Sequence, residues 1–414
     1  MTLLRPSSRL ADASALHSAY EIFRDDSRQT LLFRADQKGG KALKVLLLDA
    51  AFSAVPIHEY LTDIGCDVWT MGNRAEDPLA LAYRENWICA NYGDAALVQS
   101  CVKEHGFEAV IPGCTDVSMS SFVQLKQQGS YRLSPETNDI LNNKPLFRRL
   151  CLDLDVPAPR AVDVRRLPKF GKFICKPADS FSGRGVTIFD AADAKAVDAA
   201  VELAMSHSPR GEIICENFIE GELHSYTAFL RAGVVERAFI VREGSRYNPF
   251  AVDTSHLCDD YDSRKLLVLR AAIEAIAAHL ELCDGLLHTQ FIDAGEDVSI
   301  IEMTRRCPGD LYARLVEYST GHHYAGEFAS FFLGRPVETL PSRRRYVLRH
   351  TIKLVGKERF FGLDVELPGL FKIVPVARNG DTLDPKVPTR VGLAFAEAVD
   401  DDNLRRLYSE TINR

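Results

Sequence analysis

Several things are missing from this sequence of 414 residues. No apolar run approaches the ~20 residues that a membrane-spanning helix needs, so no membrane partner is expected. The ten cysteines contain no CxxC spacing, which argues against a zinc site or a disulfide framework. Several, such as Cys175 and Cys215, sit inside apolar runs and read as small, reduced core residues. Positive charge is not in excess: the formal net charge is −7, so nucleic acid is not an expected partner, although a local basic pocket is not excluded. Met1-Thr-Leu-Leu-Arg-Pro6 lacks the apolar region of a secretory signal, so a cytoplasmic location is expected. No Gly-x-Gly-x-x-Gly follows the first strand, and Gly-x₄-Gly-Lys-Ser/Thr is absent, so neither a dinucleotide fingerprint nor a Walker-type loop is present. What remains is an ordinary globular composition, 46% hydrophobic and 26% charged.

Residues 1–40 are polar and mixed, with a short helix expected over 11–21 and a linker at Gln37-Lys-Gly-Gly40. From residue 43 the pattern becomes regular. A nearly continuous apolar run at 43–48 reads as a parallel strand buried on both faces. Strands are expected again at 67–71, 87–90 and 109–111, with helices between them. That alternation predicts an open, doubly wound α/β sheet, with Ser53, Thr115, Asp116 and Ser118 on the loops at its carboxyl edge. These polar residues either touch a substrate or form turns and caps. One helix is then expected through Ile140, Leu141, Leu146, Phe147 and Leu150, carrying Asn143-Lys144. Strands follow at 170–176 and 186–189 around Ser180-Phe-Ser182-Gly183-Arg-Gly185, and again at 212–219, 225–229 and 234–241. A long helix is expected at 266–282. Strands at 288–293 and 298–301 are joined by a Gly295-Glu-Asp turn, a hairpin signal.

The second strand of that hairpin ends in Glu302-Met-Thr304-Arg-Arg306-Cys-Pro-Gly-Asp310. It delivers one carboxylate, one hydroxyl and two guanidiniums to a single place beside an apolar strand. Such charges are costly to bury unless they pair or hold a ligand. A hard metal with a phosphate would use them all, the carboxylate for Mg²⁺ and arginine for phosphate oxygens. An ion pair at a strand end is the competing reading, and this stretch alone leaves both open.

The order of motifs goes further. A helix with Asn-Lys is followed by an apolar strand ending in Lys176-Pro, then a Ser/Gly-rich loop. A strand ending in Glu216-Asn-Phe-Ile219 comes next, then a hairpin with His288-x-Gln290-Phe and Ile301-Glu302-x-Thr304-x-Arg306. This order resembles the ATP-grasp superfamily, specifically its carboxylate–amine or thiol ligases, which include D-alanine–D-alanine ligase, L-amino-acid ligases and biotin carboxylase.

The resemblance implies an α/β, ATP-grasp fold with an N-terminal open, Rossmann-like α/β domain and a small C-terminal α+β lobe. The boundaries would be an extension at 1–40, the pre-ATP-grasp domain at 41–135, the module at 136–340 with a lid subdomain at about 165–218, and the lobe at 341–414. It implies ATP and Mg²⁺ (or Mn²⁺) as cofactors, small-molecule carboxylate and amine substrates, and a homodimer as one expected assembly. The implied activity is ADP-forming ligation of a carboxylate to an amine through an acyl phosphate, with an amino acid or small peptide as one substrate. A bicarbonate-using carboxylase and a nucleotide-binding protein that has lost catalysis are the alternatives.

By the same resemblance, Lys144 and Lys176 contact the α- and β-phosphates, and the loop with Ser182, Gly183 and Gly185 folds over the triphosphate. Glu216, Asn217, Phe218 and Ile219 line the adenine. Glu302 bridges metal, and Arg306, with Lys176, is catalytic. Two departures stand out. Many relatives have Glu at the position of Gln290 and Asn at that of Thr304, so this metal site is less anionic. Leu223 stands where relatives carry a ribose-binding carboxylate, leaving Glu222 or His224 for that role. Arg242, Arg246, Tyr247 and His256 are candidates for substrate selection, with a solvated loop as the competing reading.

Overall fold

The apolar run that opens the regular part of the chain becomes the first strand of a parallel sheet. In the computed structural model, which describes residues 42–126, 129, 131–180, 183–337, 342–357 and 359–413, Val45 to Leu48 are fully buried. The extension 1–40, its expected helix and Ser182 lie outside the described residues. The sheet holds β1 (Lys44–Leu48), β2 (Asp67–Gly72), β3 (Trp87–Cys89) and β4 (Ala109–Pro112) in the order β3-β2-β1-β4, all pairs parallel. Helices α1 (Val55–Asp63), α2 (Pro78–Ala82) and α3 (Ala95–His105) connect the strands. Helix α4 (Asp116–Phe122) starts directly after β4, capped by the Thr115 side chain, which accepts the Ser118 N–H. Thr115 is thus a cap, and Asp116 opens a helix at the carboxyl edge of the sheet.

The single helix expected around Lys144 is two, α5 (Pro135–Asn142) and α6 (Lys144–Asp153). Pro145 is the reason: it has no N–H, and inside a continuous helix its ring would strike the carbonyl four residues back. The chain restarts instead, with the Asn143 side chain accepting the Leu146 N–H at 3.1 Å. Lys144 therefore stands at the first position of a helix.

A small antiparallel sheet follows: β5 (Ala161–Val162), β6 (Lys172–Pro177), β7 (Thr187–Asp190) and β8 (Ile213–Asn217), ordered β5-β8-β6-β7. Helix α7 (Ala194–Ser206) packs on it, and Phe173, Cys175, Phe189, Ala200, Ala204 and Cys215 form a core of their own.

The rest of the chain builds an eight-stranded sheet from β9 (Glu222–Arg231), β10 (Val234–Gly244), β11 (Thr254–Leu257), β12 (Gly285–Asp293), β13 (Val298–Thr304), β14 (Tyr346–Leu354), β15 (Leu370–Pro375) and β16 (Thr389–Ala398), ordered β13-β12-β9-β10-β11-β14-β16-β15. The C-terminal strands thus extend the large sheet through β11, a strand not expected from the sequence. Helix α8 (Ser263–His279) and the closing helix α11 (Asp401–Asn413) pack against it, α11 through Leu404, Leu407 and Tyr408 on Leu348 and Ala396. Helices α9 (Tyr312–Thr320) and α10 (Tyr324–Leu333) lie on the other side, with Tyr312 beside Thr227 and Tyr324 beside Phe229. Among the described residues, no helix is long and apolar enough to cross a membrane.

Removing the cap of α6 is expected to cost about 1 kcal/mol. Asn143→Ala should lower the thermal midpoint modestly and speed amide hydrogen exchange in the first turn of α6; unchanged exchange there would contradict the capping role.

Candidate active site

Side chains alternate between the two faces of a strand, and the register of the large sheet decides which candidate residues meet. Glu302 on β13 stands opposite Gln290 on β12, and Gln290 opposite Ser225 on β9. Two pairs along, on the same face, Thr304 faces His288 and His288 faces Thr227. The Gln290 amide donates to Oε2 of Glu243, on β10, at 2.6 Å. Thr227 Oγ1 lies 2.8 Å from His288 Nδ1 and donates to the Tyr312 hydroxyl at 3.1 Å. Farther across the same face, Arg349 donates through Nε to Ser255 Oγ at 2.8 Å and through Nη1 to the Asp310 carbonyl at 2.7 Å. Burial pushes His288 down to about 3, with Arg306 adding to it, so its imidazole is neutral. Burial pushes the Glu243 carboxyl up to about 7 against the hydrogen bonds from Ser225 and Gln290.

The two arginines after Glu302 point elsewhere. Arg305 is fully buried and donates to the Tyr131 hydroxyl and the Cys283 carbonyl, each at 2.8 Å, and to the Asp284 carbonyl at 3.1 Å. Arg306 pairs with Asp116 at the start of α4, Nε to Oδ1 at 2.5 Å. Burial works against the Arg306 charge, but Asp116 more than offsets this and the net shift is upward. Glu302 itself is exposed and has no ion-pair partner among the described residues. The ion-pair reading of the strand end is therefore wrong for Glu302: its carboxylate is left for something else.

The expected lysines converge on the same region. Lys176 Nζ lies 2.7 Å from Glu216 Oε2, and Arg148 on α6 pairs with the other carboxylate oxygen. Arg148 also donates to the Ile301 carbonyl at 2.7 Å, which ties β8 and α6 to β13. Glu216 is fully buried. Burial alone would raise its pKa, but Lys176 and Arg148 together bring it below the usual value. Lys144 donates to the Ser180 carbonyl at 2.8 Å. Burial lowers its pKa, and Glu302 is the strongest influence in the opposite direction. The two glycines of the loop, Gly183 and Gly185, take φ of 67° and 70°. A Cβ on Gly183 would lie 2.6 Å from that of Phe250, and one on Gly185 2.7 Å from that of His207. Only glycine suits both positions. After β8, the N–H groups of Asn217 and Phe218 already donate to the Arg160 and Lys172 carbonyls. Ile219 N–H makes no such bond among the described residues.

Several candidates do not join this group. Alternation puts Glu222, His224, Arg242 and His256 on the opposite face from Gln290 and Glu302. His224 is buried against Phe291 and Tyr261. Arg242 pairs with Glu222 and lies over the Tyr408 ring at 4.8 Å. His256 is buried, edge-on to the same ring. Arg242 and His256 thus pack on Tyr408 of α11, and Leu223 occupies the site-side position. Glu216 offers adenine no free carboxylate, since both oxygens are taken. Thr304 lies two pairs beyond Gln290, and its hydroxyl accepts the Arg306 N–H at 3.4 Å. Arg246 and Tyr247 are exposed, on the loop that brings Phe250 against Gly183. Conversely, Arg148, Glu243 and Arg349 were not singled out by their sequence context. Arg349 is buried with no carboxylate within ion-pair distance among the described residues.

No family model matches the chain, and no curated protein matches it in sequence. Solved structures do resemble it. An L-amino acid ligase from Bacillus licheniformis superposes with a TM-score of 0.69 at 18% identity, covering 90% of this chain and 96% of that one. Phosphoribosylglycinamide synthetase from Anaerococcus prevotii gives 0.68 at 16%, covering 90% and 98%. The chain has the ATP-grasp fold. A third ATP-grasp likeness is the biotin carboxylase domain of Hydrogenobacter thermophilus 2-oxoglutarate carboxylase, solved with MgADP, ADP and bicarbonate; it gives 0.65 at 13%, covering 86% of each chain.

Glu216 is the buried anion between two cations, and losing one partner of such a group typically costs about 3–5 kcal/mol. Glu216→Gln should lower the denaturation midpoint accordingly. Because the folded pKa of Glu216 lies below its unfolded value of 4.5, its stabilisation is present above that pH and lost as pH falls through the folded pKa. The variant should therefore also show a shallower loss of stability on the acid side. An unchanged midpoint and acid limb would contradict the assignment.

Proposed function

We propose that this chain is an ATP-dependent, ADP-forming ligase that joins a carboxylate to an amine through an acyl phosphate, with an amino acid or small peptide as one substrate. The observation that carries this reading is the unpaired Glu302 carboxylate beside the Gln290 amide, within electrostatic reach of Lys144 and Arg306. Both are oxygen donors of the kind a hard cation takes, so the residues present fit Mg²⁺ or Mn²⁺. No group of three His, Cys, Asp or Glu side chains among the described residues makes a metal cage. That suits Mg²⁺, which is commonly held by one or two carboxylates together with substrate phosphates. When bound, the metal supplies neutralisation of phosphate charge.

The chemistry needs such a site because oxide is a poor leaving group. Phosphoryl transfer from ATP to a carboxylate oxygen gives ADP and an acyl phosphate. Attack of the amine on the acyl carbon then expels phosphate. The protein's share is positioning and charge. In this reading Lys144 and Lys176 hold phosphate oxygens, Lys176 being aimed by Glu216. The backbone around Gly183 and Gly185 lies along the triphosphate, and the segment Asn217 to Ile219 takes the adenine, with the Ile219 N–H, which makes no backbone hydrogen bond among the described residues, as its donor. Arg306 steadies the phosphoryl group in transit, held in place by Asp116. Arg349, a buried cation with no carboxylate at ion-pair distance among the described residues, takes over from Arg242 the holding of a substrate carboxylate.

The test is an ADP-release screen over pairs of amino acids with Mg²⁺, with products identified by mass spectrometry. Bicarbonate belongs in the panel, since biotin carboxylases are among the similar structures. Amide products with ADP are expected. Glu302→Ala should lower the rate by about 10²-fold or more, as several kcal/mol of charge stabilisation is lost. Lys176→Ala should raise the ATP concentration required. ATP binding without ADP from any pair, or wild-type rates in Glu302→Ala, would overturn the reading.

A further inference from the structure

Gln290 carries an ambiguity that a carboxylate in its place would not. A carboxylate offers oxygen in both directions; an amide offers oxygen in one and NH₂ in the other. If the NH₂ faced Glu302, two donor hydrogens would occupy the place where a cation must sit. Something has to fix the amide, and the sheet supplies it.

Strand order puts β13, with Glu302, on one side of β12, and β9 and β10 on the other. Glu243 reaches over from β10 and its Oε2 accepts from Gln290 Nε2 at 2.6 Å. Glu243 is buried, and the Ser225 hydroxyl hydrogen-bonds to it as well. Its oxygen accepts the amide hydrogen in either protonation state. With the NH₂ held toward β10, the carbonyl oxygen is the end of the Gln290 amide left for the β13 side, where Glu302 stands opposite.

We propose that Glu243 is the positioning residue of the metal site: by holding the Gln290 NH₂ it turns the amide oxygen toward the cation beside Glu302. The role rests on the ligase reading above, which makes Glu302 a metal ligand. It also accounts for a buried acid on the site face with no cation within ion-pair distance among the described residues. Glu243 does not itself meet the metal or the reacting atoms; it acts through Gln290.

The test uses the full chain with saturating ADP and reads Mn²⁺ affinity by electron paramagnetic resonance. In Glu243→Gln the side chain at 243 accepts or donates equally well, so the amide at 290 is no longer fixed. Mn²⁺ affinity should fall by about tenfold, the usual scale for removing a residue that orients a metal ligand. The double variant Glu243→Gln/Gln290→Glu should bind Mn²⁺ at least as tightly as the parent, because the amide introduced at position 243 donates to a carboxylate whose other oxygen is free. Thermal midpoints show that each variant folds, and the double variant decides the matter if the single one does not. Parent-like affinity in Glu243→Gln, or a double variant no better than the single, overturns the inference. Glu302→Ala separates the two levels: if it keeps parent-like Mn²⁺ affinity, the metal reading of Glu302 has failed; if it loses Mn²⁺ while Glu243→Gln does not, only the positioning role has.

Discussion

Arg305 and Arg306 follow Glu302 by three and four residues, yet neither neutralises it. Arg305 is drawn into the core by Tyr131 and two backbone carbonyls, and Arg306 is held by Asp116 at the start of α4. A strand end with one anion and two cations would ordinarily collapse on itself. Here the surroundings compete for the cations and win, because buried guanidiniums need several acceptors at once and the neighbouring elements supply them. What is left is an exposed carboxylate within electrostatic reach of Lys144, whose own ammonium donates to the Ser180 carbonyl. The chemistry proposed for the chain follows from that leftover charge.

The same ion pairs are the joints of the molecule. Arg306–Asp116 ties the parallel sheet to β13. Arg148 joins α6 to β8 through Glu216 and to β13 through the Ile301 carbonyl. The three sheets therefore meet at charged groups, and those meeting places are where the proposed function puts a nucleotide and its metal. Such groups add little net stability, since desolvation offsets much of their attraction. Their position at the meeting point of three elements suggests that alignment of the site, more than stability, is what they serve.

Much of this was legible in the sequence. The parallel sheet was readable because strands buried on both faces are apolar along their whole length, as at Val45 to Leu48. The Glu302 hairpin was readable from its turn and its charges, and the order of motifs pointed to the ATP-grasp fold. The misses among the site residues share one cause: a single sequence does not say which face of a strand looks at the site. His224 and His256 are polar residues near the right place in the chain, but a period of two turns them to the other side. Glu243 and Arg349 do face the site, and nothing in their local sequence marks them, since their meaning comes from strands far apart in the chain. Pro145 did carry a signal, and it splits what periodicity alone joins into one helix.

The account stands most directly on the fate of one oxygen atom. A carboxylate substrate labelled with ¹⁸O, in any pair that turns over with ATP, should pass one labelled oxygen to the released inorganic phosphate and keep the other in the amide. That transfer occurs only if the carboxylate itself is phosphorylated. Unlabelled phosphate, or release of AMP and pyrophosphate in place of ADP, would contradict the account.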